Sequence, residues 1–381
     1  MKKSLLILLF TCWALFFAAF RPVMPFAAET AAFPDGTPVT GGRILMGTIG
    51  EPSNLIPYMA SDSASGEITG LLYVAPLKYD KDLNVVPWAA ASYEVLEGGR
   101  LLRFVLRDDI RWEDGVPLTA DDVEFTYKLM IDPKTPTAYS GDFLAIESFK
   151  KTGRLSFEVR YAKPFARSLM TWMGAILPKH VLEGQDIMTT PVARKPIGAG
   201  PYRLAKWDAG SMLTLTASDT YFEGRPNLDE VVYRIIPDPS TMFLELKAGK
   251  LDMMSLSPQQ YLRQTQGPQW ERDWRKYRYL SFSYTFLGFN LEHPFFKDVR
   301  VRRAISMAID RQSLIDGVLL GQGVPTVGPY KPGTWAYNDK LTPVRQDVDE
   351  ARRLLDEAGW KKDKDGLLER DGKPFLFTIL V

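Results

Sequence analysis

Between residues 101 and 130 the apolar positions change period. Leu102, Phe104 and Leu106 alternate with Arg103, Val105 and Arg107, the period of a half-buried strand. Asp114-Gly115 then marks a tight turn, and Pro117 stiffens its exit. Thr119, with Asp122 three residues on, sits where a helix N-cap belongs. Val123, Tyr127 and Met130, flanked by Phe125 and Leu129, give that helix its apolar side. Trp112, between strand and turn, is expected to be buried and to touch no ligand.

The rest of the chain is read in the same way. RILMGTI (43–49) and LSFEVR (155–160) alternate as strands, and 76–100 reads as short strands and turns. The Ser/Asp/Gly-rich stretch Ser61–Gly66 reads as a loop, with helix signals from Ile68 to Tyr73. Pro164–Met173 is read as a short helix. PIGAGPY (196–202) is glycine-rich, but a phosphate loop would need Lys-Ser/Thr and a helix after the glycines; Pro201-Tyr202 and a strand follow, so a domain-crossing linker fits. Strands are expected at 212–216 and 231–236, and a helix at 241–248 with Gly249 as its stop. Leu280–Asn290 (LSFSYTFLGFN) is strand-like and aromatic.

Further on, Val301, Ala304, Ile305, Ala308 and Ile309 keep helical spacing. Asp310 caps a second helix bearing Leu314, Ile315, Val318 and Leu319. Asp347 with Glu350 caps a third, with Leu354, Leu355 and Ala358 buried and Gly359 as the stop. Asp363–Gly372 begins like a calcium loop but lacks the remaining ligands, so a hairpin turn is expected. The last run, Pro374–Val381, is apolar and β-like; an unpaired terminal strand invites aggregation, and the chain is read here as a fragment.

The 381 residues suggest two or three domains with a sizeable core. Lys2 and Lys3 precede an apolar run from Leu5 to Phe20, the layout of a secretory signal, taken as 1–28 with a leader at 29–42. Cys12, the only cysteine, falls inside that run, so the exported chain would have no disulfide, thiol nucleophile or Cys-based metal site. A net charge of +1 gives no argument for nucleic acid as partner. Aromatic content is 12%, enough to line an apolar ligand cleft as well as a core.

Candidate chemistry is sparse. Asp108, Asp109, Glu113, Asp114, Asp121 and Asp122 cluster in sequence, but they read as turn residues, a helix cap and a solvated face. The two histidines, His180 and His293, lack metal-ligand spacing, and no nucleophile-elbow pattern accompanies them. The expectation is a binder without catalytic residues, metal or cofactor.

Several motifs then share one resemblance. RDDIRWEDGVPLTADDVEFTYKLM resembles the signature of the peptide-binding family of ABC-importer substrate-binding proteins (extracellular solute-binding protein family 5), with Glu113 where that family most often has His. PIGAGPYRLAKW with TYFEGRPNLDEVVYRIIPD, FLELKAGKLDMM, LGFNLEHPFFKDVRVRRAISMAIDRQ and DVDEARRLLDEAGW are similar to its later segments, in order; Ala199 replaces the usual Thr. The resemblance implies an α/β periplasmic-binding-protein type II-like fold of two lobes with an inserted small domain. Lobe I would comprise 43–72 and 195–284, the small domain 73–194, and lobe II, incomplete, 285–381.

It also implies an exported, monomeric protein that captures peptides in an inter-lobe cleft and delivers them to a membrane permease. Expected ligand-facing residues are Asn54, Ser61, Asp62 and Ser63 after the first strand, Tyr139 and Trp172, and Tyr284, Phe286 and Asn290 toward lobe II. Alternatives are the same fold holding a sugar, opine, metal chelate or haem; a secreted hydrolase using His180 or His293; and a chaperone-like binder of extended chains.

Overall fold

The computed structural model describes residues 38–380. The segment read as a secretory signal and most of the leader lie outside them. The chain divides into two compact units at Leu256/Ser257, well before residue 285.

The first unit holds two four-stranded sheets. Strands β1 (Arg43–Thr48), β2 (Leu77–Tyr79), β3 (Val85–Pro87), β4 (Ala90–Leu96), β5 (Leu101–Leu106), β6 (Ile146–Lys151), β7 (Ser156–Tyr161), β8 (Tyr202–Asp208), β9 (Met212–Ala217) and β10 (Glu230–Ile235) follow in chain order. One sheet runs β1-β10-β9-β8, parallel between β1 and β10 (Arg43 opposite Glu230) and antiparallel elsewhere. The other runs β4-β5-β7-β6, all antiparallel, and β2-β3 form a separate hairpin. Strand β5 buries Leu102, Phe104 and Leu106 and exposes Arg103 and Val105, as its alternation requires.

Helix α1 (Ser63–Leu72) begins earlier than expected. Asp62 is its N-cap, accepting from the Ser65 backbone N–H at 2.8 Å, so Ser63–Gly66 form its first turn and are not a loop. Helix α2 (Ala120–Ile131) carries the expected capping box between Thr119 and Asp122. Its buried face differs from the expected one: Val123 and Met130 lie on it, but with Thr126, whereas Tyr127 is half-buried and stacks on Phe149. Thr126 can turn inward because its hydroxyl is satisfied, donating to the Asp122 carbonyl and accepting from the Leu177 N–H. Within 164–173 only Ser168–Thr171 is helical. Helix α3 (Pro239–Lys247) is capped by Asp238, and Gly249 follows with φ +69°.

One continuous apolar core runs from Leu55 to Tyr233. Phe104 and Phe157 stack at 4.8 Å, and Trp172 packs within 5.5 Å of both. Trp112 is fully buried. The 196–202 crossing is wedged against the end of α1: the Gly200 N–H donates to the Leu72 carbonyl, and the Glu113 N–H donates to the Gly198 carbonyl. A Cβ at Gly198 would lie 2.0 Å from the Leu72 carbonyl oxygen, so both the tight passage and the glycine follow from backbone meeting backbone.

The second unit contains helices α4 (Val299–Ala308), α5 (Arg311–Gly317) and α6 (Val348–Glu357), capped by Asp298, Asp310 and Asp347. Ala304 on α4 and Ala351 and Leu354 on α6 are buried together. Of the apolar side expected for the second helix, only Ile315 is buried; Leu314 and Val318 are exposed. A small sheet joins β11 (Lys361–Lys362), β12 (Leu368–Arg370) and β13 (Lys373–Pro374), and Asp363 caps the hairpin turn by accepting from the Asp365 and Leu367 N–H groups. One expectation fails here. Residues 280–290 form no strand; the Phe375 N–H still donates to the Leu368 carbonyl, and 376–380 continue without strand pairing among the described residues. The 280–290 run has the alternation of a strand, but a strand also needs a ladder partner, and it has none among the described residues.

Candidate functional site

The segment after β1 is fixed by hydrogen bonds to the start of α1. The Ser65 hydroxyl accepts from the Ser53 N–H at 3.0 Å and donates to Asp62 at 2.8 Å, and the Ser53 hydroxyl also donates to Asp62. Burial alone would raise the Asp62 carboxyl; the bonds from Ser53 and Ser65 outweigh it and hold the group below the usual carboxylate range. Asn54 turns back on itself, its side-chain oxygen accepting from the Ile56 N–H at 2.8 Å.

Tyr58 follows with φ +73°, a left-handed conformation rare for a bulky side chain. Three contacts hold it there. Its hydroxyl donates to the Ala175 carbonyl, the Thr137 hydroxyl donates to its own carbonyl, and its ring meets Tyr139 edge-on at 6.0 Å. Burial raises the Tyr58 phenol, so it remains a neutral donor. Gly174 is needed beside it, since a Cβ there would lie 2.2 Å from the Tyr58 hydroxyl.

These pieces line an open cavity of about 340 Å³. Its helical wall is Gly66, Thr69, Gly70 and Tyr73, positions that share one face of α1 and its cap. Tyr58, Trp88, Tyr139 and Met173 supply apolar surface, with Asn54 at the side, and no charged side chain lines it. The Trp88 ring is fixed by its indole N–H, which donates to the Tyr221 hydroxyl at 3.0 Å.

The structure therefore brings Asn54 and Tyr139 together at one cavity. Ser61, Asp62 and Ser63 sit at the N-terminus of α1 and do not line it. Trp172, expected to face a ligand, is 3% exposed in the aromatic core, because Phe104, Phe149 and Phe157 surround its ring. Tyr284, Phe286 and Asn290 belong to the second unit, on the exposed stretch without strand pairing. Asn290 closes a turn there, accepting from the Glu292 N–H. Sequence reasoning missed Tyr58, Tyr73, Trp88 and Met173. The signal that could have found Tyr73 is its i+3, i+7 relation to Gly70 and Gly66, visible only once the helix is started at Ser63.

The acid-rich turn has mostly the local roles expected of it. Asp109 pairs with Arg107, Asp121 with Lys151, and Asp122 accepts from the Thr119 and Lys179 N–H groups. Asp114 accepts from the Val116 N–H and lies 2.7 Å from His180 Nε2. Glu113 is the exception. Burial, only partly offset by Arg203 and reinforced by Asp114, pushes its carboxyl up to about 7. His293 packs against Phe295 and Phe296, and its Nδ1 accepts from the Phe295 N–H. Among the described residues no three or more His, Cys, Asp or Glu side chains group as a metal site would. No helix among them is long and apolar enough to cross a membrane.

A mixed α/β unit carrying a preformed, uncharged cavity beside a strained aromatic loop has the features of a small-molecule or peptide receptor. Residues 84–381 match the family model of the bacterial extracellular solute-binding proteins, family 5, and the chain belongs to that family. It is 33% identical to the oligopeptide-binding protein AppA of Bacillus subtilis over 90% of this chain and 64% of that protein. It is 28% identical to the dipeptide-binding protein of Escherichia coli over 73% of this chain and 56% of that one. The chain thus spans less than two thirds of the length of these relatives.

Among solved structures, AppA from B. subtilis in complex with a nonapeptide superposes with a TM-score of 0.79 at 32% identity, covering 89% of this chain and 68% of that one. NikZ from Campylobacter jejuni in complex with Ni(L-His) gives 0.77 at 28% identity, covering 87% and 66%. The fold is thus the periplasmic-binding-protein type II-like one that the sequence motifs imply.

Proposed function

We propose that this protein is the exported substrate-binding component of an ABC importer, a monomer that captures peptides and hands them to a membrane permease. The observation that carries the reading is the preformed cavity of Tyr58, Trp88, Tyr139 and the α1 face, in a chain related to oligopeptide- and dipeptide-binding proteins. An extended peptide presents main-chain donors and acceptors to satisfy and side chains to house. Asn54 and the Tyr139 hydroxyl supply polar groups at the cavity, and its rings supply a tolerant apolar wall.

Titration calorimetry of the full chain against di- to octapeptides tests this. Binding of peptides in the micromolar range or tighter is expected; no heat with any of them, alongside tight binding of another solute, overturns it. A second reading, the same fold holding a metal chelate, is favoured by the likeness to the Ni(L-His) complex of NikZ. Native mass spectrometry of the purified protein separates the two by the mass of any ligand that co-purifies.

A further inference from the structure

We propose that the cavity over α1 selects a bulky, uncharged side chain of the ligand, aromatic or large aliphatic, and that Gly66 and Gly70 keep the helix bare so that this group can reach it. The inference deepens the peptide-binding reading and rests on it.

The two glycines have no other explanation in the chain. Both lie inside a regular helix, where glycine is destabilising relative to alanine. Neither has a positive φ that would demand glycine. Neither is needed for packing, since a Cβ at either would meet nothing within 4 Å. Gly198 and Gly200 are the contrast: there a Cβ would strike the backbone carbonyls of Leu72 and Leu71 at 2.0 and 2.5 Å. One pair makes room for the chain itself. The other leaves room for something the chain does not supply.

The surroundings say what that is. Gly66 and Gly70 line the cavity together with Thr69 and Tyr73, and Tyr73 is 2% exposed with its hydroxyl lacking a hydrogen-bond partner among the described residues. Burial raises that phenol, with the nearby Glu113 carboxylate adding to the effect, so it stays neutral. A volume of about 340 Å³ lies at the lower end of the ~300–1,000 Å³ usual for ligand pockets, enough for one large side chain and its adjoining main chain. A charged side chain would be desolvated there without a counter-ion, because no lining residue is charged. A ring or branched aliphatic group would gain from Trp88, Tyr58 and Met173.

The test is a calorimetric series of tripeptides in which each position is in turn Phe, Leu, Gly, Asp or Lys. At one position Phe and Leu should bind about 100-fold or more tightly than Asp and Lys. Gly70→Leu should fill the cavity and bring the Phe-to-Gly affinity ratio at that position close to one. Its melting temperature should not fall, since leucine is the better helix former. If Gly70→Leu fails to fold, Gly70→Ala provides the same readout, with a smaller drop in the ratio. Peptide binding with no such preference, or with the Phe-to-Gly ratio intact in a folded Gly70→Leu, overturns this inference and leaves the peptide reading standing. Absence of binding by every tripeptide and by all the other di- to octapeptides, alongside tight binding of another solute, overturns both; where only longer peptides bind, the same substitution series is run in them.

Discussion

The two units of this chain use aromatic residues in opposite ways. In the first, Phe104, Phe149, Phe157 and Trp172 interlock at ring distances of 4.8 to 6.1 Å, and one core reaches from Leu55 to Tyr233. In the second, the comparable cluster of Phe295, Phe296, Trp360, Phe375 and Phe377 is small, and many large side chains face outward. Tyr279, Phe282, Phe286 and Trp335 are all at least 67% exposed. Aromatic content alone therefore does not set stabilisation. What counts is how much ring area leaves water, because apolar burial is the dominant favourable term.

The strongest way to break this comparison is at the first core. Trp172→Ala should cost about 3–5 kcal/mol in chemical denaturation, the range for removing a buried aromatic without full collapse of the cavity. A cost below 1 kcal/mol would mean that the ring stack is not what holds this unit together. Gly198→Ala should cost about 2–4 kcal/mol, because its Cβ would fall 2.0 Å from a backbone carbonyl that cannot swing aside as a side-chain tip could. A melting temperature equal to wild type would show that the crossing and the end of α1 are not in contact.

A third prediction uses pH. The Glu113 carboxyl is raised from an ordinary 4.5 to about 7, so the folded state holds its proton more tightly than the unfolded state. No stability is lost below the unfolded value. Between about 4.5 and about 7 the unfolded chain releases the proton while the folded chain keeps it, and stability falls with rising pH. Above that window the full penalty is present. Glu113→Gln should flatten this slope and stabilise the protein at pH 8 by roughly 1–2 kcal/mol, discounted for the group's partial exposure. Thermal melts at pH 4.5, 6 and 8 check it; parallel wild-type and variant curves would show that Glu113 is solvated.

These effects also mark where the sequence was and was not readable. The strand, turn and capped helix of 101–130 were legible because each signal is local: alternation in β5, Asp114-Gly115 in the turn, Thr119 with Asp122 at the cap. Helices α4, α5 and α6 of the second unit were legible for the same reason, whereas the short helix Pro268–Asp273, which carries no side-chain cap, was not. The start of α1 was not, because SDSASG has the composition of a loop; Asp62 caps the helix by accepting from the Ser65 N–H, and Ser53, ten residues before the helix, adds a bond to the same carboxylate. The cavity was half legible. Position after β1 pointed to Asn54, and the family resemblance pointed to Tyr139. No local rule, however, predicts that Tyr58 takes a positive φ, which depends on Ala175 and Thr137 far along the chain. Trp172 and the 280–290 run went the other way: residue type and period fitted, and tertiary partners decided.

The smallest expected effect sharpens the comparison from the second unit. Trp335 is 70% exposed, so its indole gains little from folding. Trp335→Ala should change stability by no more than about 0.5 kcal/mol, the usual range for a surface position, despite deleting the largest of the side chains. Set against about 3–5 kcal/mol for Trp172→Ala, it isolates burial from residue type. The measurement is the same denaturation series, with the Trp335 environment followed by its quenching with acrylamide. Strong quenching and an unchanged midpoint are expected. A loss above 1 kcal/mol, or a shielded indole, would mean that Trp335 is covered in solution and that the outward-facing aromatics contribute to the fold after all.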